Sequence, residues 1–125
     1  MNIPEELKYT SSHEWVREED GAYYIGITDY AQSEMSDLVY VELPEVDDEV
    51  EAGERFGAVE SVKAVADVNS PVTGRVAEIN ELLLDSPEEI NENPYEAWMI
   101  RVEDVTEVDE LMDYAAYEKF LLEEE

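Results

Sequence analysis

Cysteine is absent from this 125-residue chain, which excludes a disulfide framework, a thiol nucleophile and a cysteine-based metal site. Basic side chains are also scarce, since seven lysines and arginines face 35 aspartates and glutamates and the formal net charge is −28. Such a surface repels nucleic acids and anionic membranes, so neither is expected as a partner. No apolar run approaches the roughly 18 residues that a membrane span requires.

The amino-terminal residues 1–6 show neither the basic region nor the apolar core of a signal or transit peptide. We therefore expect a soluble, cytoplasmic protein. With 44% apolar residues, the 125-residue chain is expected to form one domain with its own core. The sequence contains a single histidine, His13, which cannot build a metal site or a catalytic triad alone. We expect His13 to pack or hydrogen-bond beside Trp15.

The acidic excess needs a physical explanation, because charge of one sign often marks disorder. Here the acids are scattered among Tyr, Val, Ile and Leu residues, which favours a folded chain. At ordinary salt such a surface repels itself and opposes association, so we expect a monomer. At about 1 M salt the screening length falls to about 3 Å and most of the repulsion disappears. The composition therefore predicts a halophilic prokaryote with a salt-loaded cytoplasm.

Short strand-like segments with Gly or Pro turns dominate the chain and predict a small β-sandwich or flattened barrel. Asp20-Gly21 lies between two such segments and indicates a hairpin. Ser70–Gly74 is expected to form a turn. The predicted strands are residues 7–17, 22–27, 38–43, 54–62, 65–69, 75–80 and 98–102.

Three helices are predicted from caps and apolar spacing. Thr28-Asp29 is expected to cap a short helix of about Tyr30–Ser33, and Ser86 is expected to cap a second that ends at Asn93-Pro94. Apolar residues at positions 108, 111, 112 and 115 predict a C-terminal helix from about Val108 to Leu122. The single domain of residues 1–125 would then have a hairpin core at about 22–104. The apolar run 82–84 is expected in the core.

Lys63 is one of three lysines and lies at the centre of an apolar segment, residues 59–67, in which Val62 mirrors Val65. The Lys63-Ala64 pair lacks the Gly or Asn that a tight turn usually needs. Backbone conformational preference therefore does not explain why these two residues stand at a turn, and this indicates a functional reason. A lone lysine is most often an ordinary solvated side chain. Here its small, apolar neighbours favour a hairpin tip where another enzyme can acylate the lysine.

Six segments, in order along nearly the whole chain, match the pattern of one known family: residues 13–16, 26–32, 43–46, 60–64, 70–74 and 93–95. Together they resemble the H proteins of the glycine cleavage system, which are lipoyl carriers. The resemblance implies a mainly β fold, a flattened barrel or sandwich of the biotinyl/lipoyl carrier type with short helices and a C-terminal helix. Two local departures concern turns: Met35-Ser36-Asp37 stands where the family commonly has Leu-Gly-Asp, and Glu96-Ala97 stands where a glycine is usual before Trp98.

What the resemblance implies is a shuttle that performs no bond chemistry itself. Lys63 would carry lipoate as N6-lipoyllysine, attached by a lipoate ligase or a lipoyl transferase. Glycine decarboxylase (P protein, with pyridoxal phosphate) would load an aminomethyl group onto a lipoyl sulfur. A tetrahydrofolate-dependent aminomethyltransferase (T protein) would remove the one-carbon unit, and dihydrolipoamide dehydrogenase (L protein) would reoxidise the dithiol. The role belongs to glycine catabolism and one-carbon metabolism.

The resemblance also suggests a cleft for the loaded arm, with Ser12, Glu14 and Asp67 as its wall. A carboxylate there would favour the ammonium group of the arm. Both acids are equally compatible with two ordinary surface positions among 35. Their role is therefore a hypothesis, which predicts that Glu14→Gln speeds the spontaneous decay of the loaded arm.

Other classes of protein match these residues less well, with one exception. Biotinyl domains usually flank their lysine with methionines, whereas Val62 and Ala64 stand here; lipoyl domains of 2-oxoacid dehydrogenases usually carry an aspartate before the lysine. A hydrolase with two carboxylates has no distinguishable pair in the sequence. A lipoyl relay, which donates lipoate to other enzymes, needs the same lysine and stays open as the alternative.

Overall fold

Strands form most of the regular structure in the computed structural model, which describes residues 1–124. The strands are β1 Lys8–Tyr9, β2 Glu14–Glu19, β3 Ala22–Ile27, β4 Leu38–Glu42, β5 Glu49–Val50, β6 Arg55–Ser61, β7 Val65–Asn69, β8 Val72–Ile79 and β9 Ile100–Val108. The helices are α1 Asp29–Met35, α2 Leu82–Asp85, α3 Glu89–Glu92 and α4 Tyr114–Glu124.

Two antiparallel sheets hold these strands. The larger has the order β1-β2-β3-β9-β8-β5, and the smaller has the order β4-β6-β7, with β4 and β7 at its edges. The predicted fold class, mainly β with short helices and a closing helix, is confirmed. The small sheet matters most for function, because its β6–β7 hairpin includes Lys63 in the connecting turn.

The larger of two apolar clusters occupies the space between the sheets and the short helices. Alternation along the strands produces it, since every second side chain of a strand points to the same face. A second, aromatic cluster seats α4 against β1 and β2 and contains Leu7, Tyr9, Trp15, Tyr117 and Leu121. Buried members of the first cluster include Ile25, Ile27, Val41, Val59, Val68, Val76, Met99, Ile100 and Val102.

The local turn and cap signals were partly right. Asp20 and Gly21 both have positive φ, 51° and 82°, as a two-residue hairpin of the mirror-image type requires, and the predicted hairpin is confirmed. The Thr28 hydroxyl accepts a hydrogen bond from the Ala31 amide, so this cap is confirmed, although α1 continues to Met35.

The predicted cap at Ser86 is wrong. α3 begins at Glu89 with Glu88 in the cap position, and no side chain caps it. The backbone carbonyl of Ser86, and not its hydroxyl, accepts from the Glu89 amide. The expectation for the leucine run is wrong for two of its three residues, because Leu82 and Leu84 are about half exposed and only Leu83 is buried.

The boundary of the C-terminal helix is also wrong in the sequence-based prediction. α4 begins at Tyr114, because residues up to Val108 belong to β9, which pairs with β8 as far as Val72↔Val108. The same pairing shortens the predicted Ser70–Gly74 turn to its first two residues, because β8 begins at Val72. The helical spacing of four apolar residues was coincidental, and long-range pairing of the backbone decided the strand.

Ser36, one of the departures from the family pattern, ends α1 with φ 66° and ψ −155°. Essentially only glycine adopts this conformation without strain. The serine therefore stores backbone strain at the position where the resembled family has glycine.

Candidate functional site

Lys63 is exposed at the tip of the β6–β7 hairpin. Its apolar neighbours Val62 and Val65 are 76% and 67% exposed. No part of residues 1–124 covers this turn, so another protein can reach the lysine. The structure thus places Lys63 where the sequence predicted it.

Ser61 explains how the turn forms without glycine or asparagine. Its side-chain oxygen accepts hydrogen bonds from the amides of Lys63 (3.2 Å) and Ala64 (3.1 Å). Its own amide donates to the Ala64 carbonyl at 2.8 Å. A serine cap therefore satisfies the backbone of the tip, and the lysine position needs no unusual backbone angle.

A groove of about 170 Å³ lies beside the hairpin. Residues of β6 and β7, of the turn of residues 10–14 and of helix α1 line it. It begins at Ala66, three residues from Lys63, or roughly 10 Å at the rise of a strand. The three residues predicted as a cleft wall, Ser12, Glu14 and Asp67, all line it. Its other lining residues are His13, Ile27, Tyr30, Ala31, Glu34, Met35, Val59 and Ala66.

The contribution of α1 was missed by sequence reasoning. Ala31, Glu34 and Met35 follow the i, i+3, i+4 spacing of one helix face, which is the signal that could have found it. A helix of seven residues offers too few positions for that periodicity to stand out. The groove is consequently more apolar than the predicted wall of one hydroxyl and two acids implies.

Glu14 is a buried carboxylate, only 1% exposed. One oxygen, Oε1, accepts from the hydroxyls of Thr10 at 2.5 Å and Ser12 at 2.6 Å, and the other, Oε2, accepts from the Asn69 amide at 3.2 Å. Burying a charge without partners costs several kcal/mol, and these three donors offset that cost. The carboxylate therefore joins the turn of residues 10–14 to strand β7 at the wall of the groove.

Asp67 is placed differently, at the exposed rim. Its carboxylate pairs with the Arg55 guanidinium at 3.0 Å, and Arg55 also bonds Glu42 at 2.9 Å. Hydrogen bonds to Glu42 and then Asp67 raise the pKa of Arg55 above its usual value. Of the two predicted carboxylates, Glu14 thus lies in the wall and Asp67 on the rim, where a cation already engages it.

His13 links the groove to the C-terminal helix. It has φ 72°, a conformation that is uncommon for a residue with a side chain, and its ring lies 4.6 Å from that of Tyr30. Its Nδ1 is hydrogen-bonded to the Tyr117 hydroxyl at 2.9 Å. The histidine thus packs and hydrogen-bonds among aromatic side chains.

Two further features bear on function. Among residues 1–124, no group of three histidine, cysteine, aspartate or glutamate side chains has the arrangement of a metal site. No helix in the described chain is sufficiently long and apolar to cross a membrane.

Known proteins identify the family. The family model for the glycine cleavage H-protein matches residues 7–124. The glycine cleavage system H protein of Halalkalibacterium halodurans is 57% identical over 126 residues, with 98% of each chain covered. That of Anaeromyxobacter sp. strain K is 52% identical over 128 residues, with 100% of each covered. A crystal structure of such a protein from Mycobacterium marinum has a TM-score of 0.88 at 37% identity, over 98% of each chain. The chain therefore belongs to the glycine cleavage H-protein family, the lipoyl shuttles of the glycine cleavage system.

Proposed function

We propose that lipoate is attached to Lys63 through an amide at Nζ. The observation that carries the proposal is the position of this lysine, alone on an exposed hairpin tip beside an apolar groove. The other two lysines differ, since Lys8 lies in the two-residue strand β1 and Lys119 lies in helix α4. Acylation removes the charge of Lys63 and leaves an arm that ends in a dithiolane.

The proposed cycle makes the chain a monomeric carrier, one domain over residues 1–125, in the cytoplasm. A lipoate ligase or lipoyl transferase attaches the arm. Glycine decarboxylase then loads the aminomethyl group, aminomethyltransferase passes its carbon to tetrahydrofolate, and dihydrolipoamide dehydrogenase restores the disulfide. All four enzymes must reach the same tip, and the absence of any covering element at Val62, Lys63 and Val65 supports that sequence of encounters.

The groove is proposed to shelter the loaded arm from water. A carbon held between sulfur and nitrogen decays by hydrolysis: the C–S bond and the C–N bond break, water supplies the oxygen, and the products are the thiol, formaldehyde and ammonium. Excluding water from that carbon slows the reaction. Apolar side chains from β3, β6, β7 and α1 line the groove, among them Ile27, Met35, Val59 and Ala66.

Glu14 is proposed as the carboxylate that favours the ammonium end of the loaded arm. It is buried, held in position by three donors, and part of the groove wall with Ser12. A preorganised carboxylate attracts an ammonium group more strongly where water is scarce. Asp67 contributes negative charge at the rim, and its pairing with Arg55 makes its contribution the smaller of the two.

Mass spectrometry tests the attachment. The chain is co-expressed with a lipoylating enzyme, and the intact protein and its peptides are analysed. We expect one lipoyl group, mapped to Lys63, with Lys8 and Lys119 unmodified. A biotin adduct, or no adduct under conditions that lipoylate a known lipoyl domain, would overturn the proposal. Glycine-dependent exchange of carbon dioxide by purified glycine decarboxylase then distinguishes the glycine cleavage role from a lipoyl relay.

We also propose that the chain works in the salt-rich cytoplasm of a halophilic prokaryote. The net charge of −28 on 125 residues supports this, because molar salt screens the self-repulsion of such a surface. Urea unfolding should therefore show a higher midpoint in 2 M KCl than in dilute buffer. Equal midpoints in the two solutions would contradict the proposal.

A further inference from the structure

The Tyr117 hydroxyl, which belongs to helix α4, lies between two walls of the groove. Its oxygen is 2.9 Å from Nδ1 of His13 and 2.8 Å from Oγ1 of Thr28. Tyr117 does not line the groove itself, and its side chain is fully buried. The hydroxyl therefore joins the elements on either side of it without contacting the arm.

Each hydrogen-bond partner of this hydroxyl belongs to the element that forms one wall of the groove. His13 belongs to the turn that holds Ser12 and Glu14, and Thr28 caps α1 by accepting from the Ala31 amide at 3.2 Å. One backbone hydrogen bond, from the Thr28 amide to the His13 carbonyl at 3.0 Å, already connects the two walls. The Tyr117 hydroxyl adds a second connection, which comes from a third element.

We propose that Tyr117 is a positioning residue for the shuttle: its hydroxyl holds the turn of residues 10–14 against α1 and so keeps the groove closed to water around the loaded arm. This inference rests on the proposed sheltering role of the groove and names the residue that maintains it. The helix α4 thereby takes part in carrying the aminomethyl group although it lies outside the groove.

The physical reason is the geometry of the two bonds. The hydroxyl can donate to one partner and accept from the other, and Thr28 is itself fully buried. Without the hydroxyl, Thr28 keeps its bond to Ala31 and the backbone bond to His13 remains, but the connection through Tyr117 is lost. The wall that carries the strained His13, φ 72°, then has one restraint fewer. Open forms of the groove become more populated, and water reaches the aminomethyl carbon.

Tyr9 provides a matched control. Its ring is stacked on that of Tyr117, with centroids 4.6 Å apart and planes 7° apart, and it is equally buried. Its hydroxyl donates to the Pro4 carbonyl at 2.5 Å, at the amino terminus rather than at a groove wall. Tyr9→Phe and Tyr117→Phe therefore remove the same group from the same aromatic cluster, but only the second removes a connection between the two groove walls.

The test measures decay of the loaded arm. Wild type, Y117F and Y9F are lipoylated, reduced, loaded from glycine by glycine decarboxylase and freed of that enzyme, and formaldehyde and ammonium release is followed. We expect release from Y117F to be about five-fold faster than from wild type, which corresponds to roughly 1 kcal/mol, the lower end of the range for losing the two hydrogen bonds of the hydroxyl. Y9F should release at the wild-type rate, and all three should be lipoylated to the same extent.

Two results overturn the inference. If Y117F decays at the wild-type rate, the hydroxyl does not position the groove; if Y9F decays as fast as Y117F, the effect is a general loosening of the aromatic cluster. A separate comparison addresses the proposed function. If the loaded wild-type protein decays as fast as free aminomethyl-dihydrolipoamide, the groove shelters nothing and both proposals fail.

Discussion

The hairpin tip at Lys63 and the turn of residues 10–14 are both short turns capped by hydroxyl side chains, yet they are built in opposite ways. The tip is exposed, has no residue with positive φ from Val62 to Ala64, and is capped within three residues by Ser61. The other turn contains a histidine at φ 72° and a buried glutamate. Its side chains bond to distant parts of the chain: Glu14 accepts from the Asn69 amide, 55 positions away, and His13 is hydrogen-bonded to Tyr117, 104 positions away.

The difference corresponds to two proposed tasks, attachment of the lipoyl arm at the tip and shelter of the loaded arm in the groove. Attachment requires only an exposed lysine, so a few neighbouring residues suffice to present it. Shelter requires a buried charge and an apolar groove, which no local segment can provide because buried polar groups need partners from other elements. In the proposed function, these two tasks are divided between a local feature, the hairpin tip, and a tertiary one, the groove.

The largest expected effect concerns the tip. Lys63→Arg keeps the charge and the turn but removes the primary amine, so we expect complete loss of the lipoyl mass increment and of glycine-dependent carbon dioxide exchange. Lys119→Arg is the matched control and should leave both unchanged. A lipoyl adduct on Lys63→Arg would mean that the tip is not the attachment point.

The next effect concerns the buried turn. Glu14→Gln replaces one carboxylate oxygen by an amide group that faces a donor, so it should lower the free energy of unfolding by about 1–3 kcal/mol. It should also speed decay of the loaded arm, because the carboxylate no longer attracts the ammonium end. Urea unfolding and formaldehyde release measure the two effects. Glu60→Gln, at an exposed position of β6, should change neither; a Glu14→Gln protein with wild-type decay would remove Glu14 from the mechanism.

A gain of stability is expected at the end of α1, where Ser36, like His13 in the turn of residues 10–14, has a positive φ. Ser36→Gly relieves a backbone conformation that costs of order 1–3 kcal/mol for a residue with a side chain, although glycine also loses more entropy on folding. We expect a net gain of about 1 kcal/mol in thermal or urea unfolding. Ser33→Gly, within the helix, should instead destabilise; a loss at both positions would show that Ser36 is not strained.

Removing the cap of the tip should have a similar or smaller effect. Ser61→Ala leaves the amides of Lys63 and Ala64 without their side-chain acceptor and should cost about 1 kcal/mol. The tip should also become less ordered, so lipoylation by the same enzyme should slow. Ser33→Ala in α1 serves as the control, and an unchanged lipoylation rate in Ser61→Ala would show that the enzyme does not need the preformed turn.

The smallest effect is expected at the rim. Arg55→Gln removes the exposed pairs with Glu42 and Asp67, and exposed pairs contribute little and are screened by salt. We expect a small loss of stability in dilute buffer that largely disappears in 1 M KCl. The penalty of Glu14→Gln should persist in the same salt, because its partners are buried. If the loss of stability depends equally on salt in the two variants, the rim and the wall of the groove do not differ in solvent exposure as described.

Particular residues show how far the sequence could be interpreted. The Asp20-Gly21 hairpin, the Thr28 cap and strand Val65–Asn69 were predicted correctly, because each depends on neighbours within a few positions. The start of α4 was not, because backbone pairing with β8 determines where β9 ends. Among the groove residues, Ser12 and Glu14 were predicted from resemblance to the family, whereas the face of α1 was not. The hydroxyl of Tyr117, which lies behind the groove walls, was not predicted either.

The sequence by itself determined that an exposed lysine stands at a hairpin tip, that the chain is mainly β, and that its surface is strongly acidic. These properties follow from residue types, alternation and local turn chemistry. Only the tertiary structure decided that Glu14 is buried and Asp67 is not, and that α1 completes the groove. The reason is that burial and hydrogen-bond partners depend on which distant segments meet, and long-range backbone pairing, rather than local preference, brings them together.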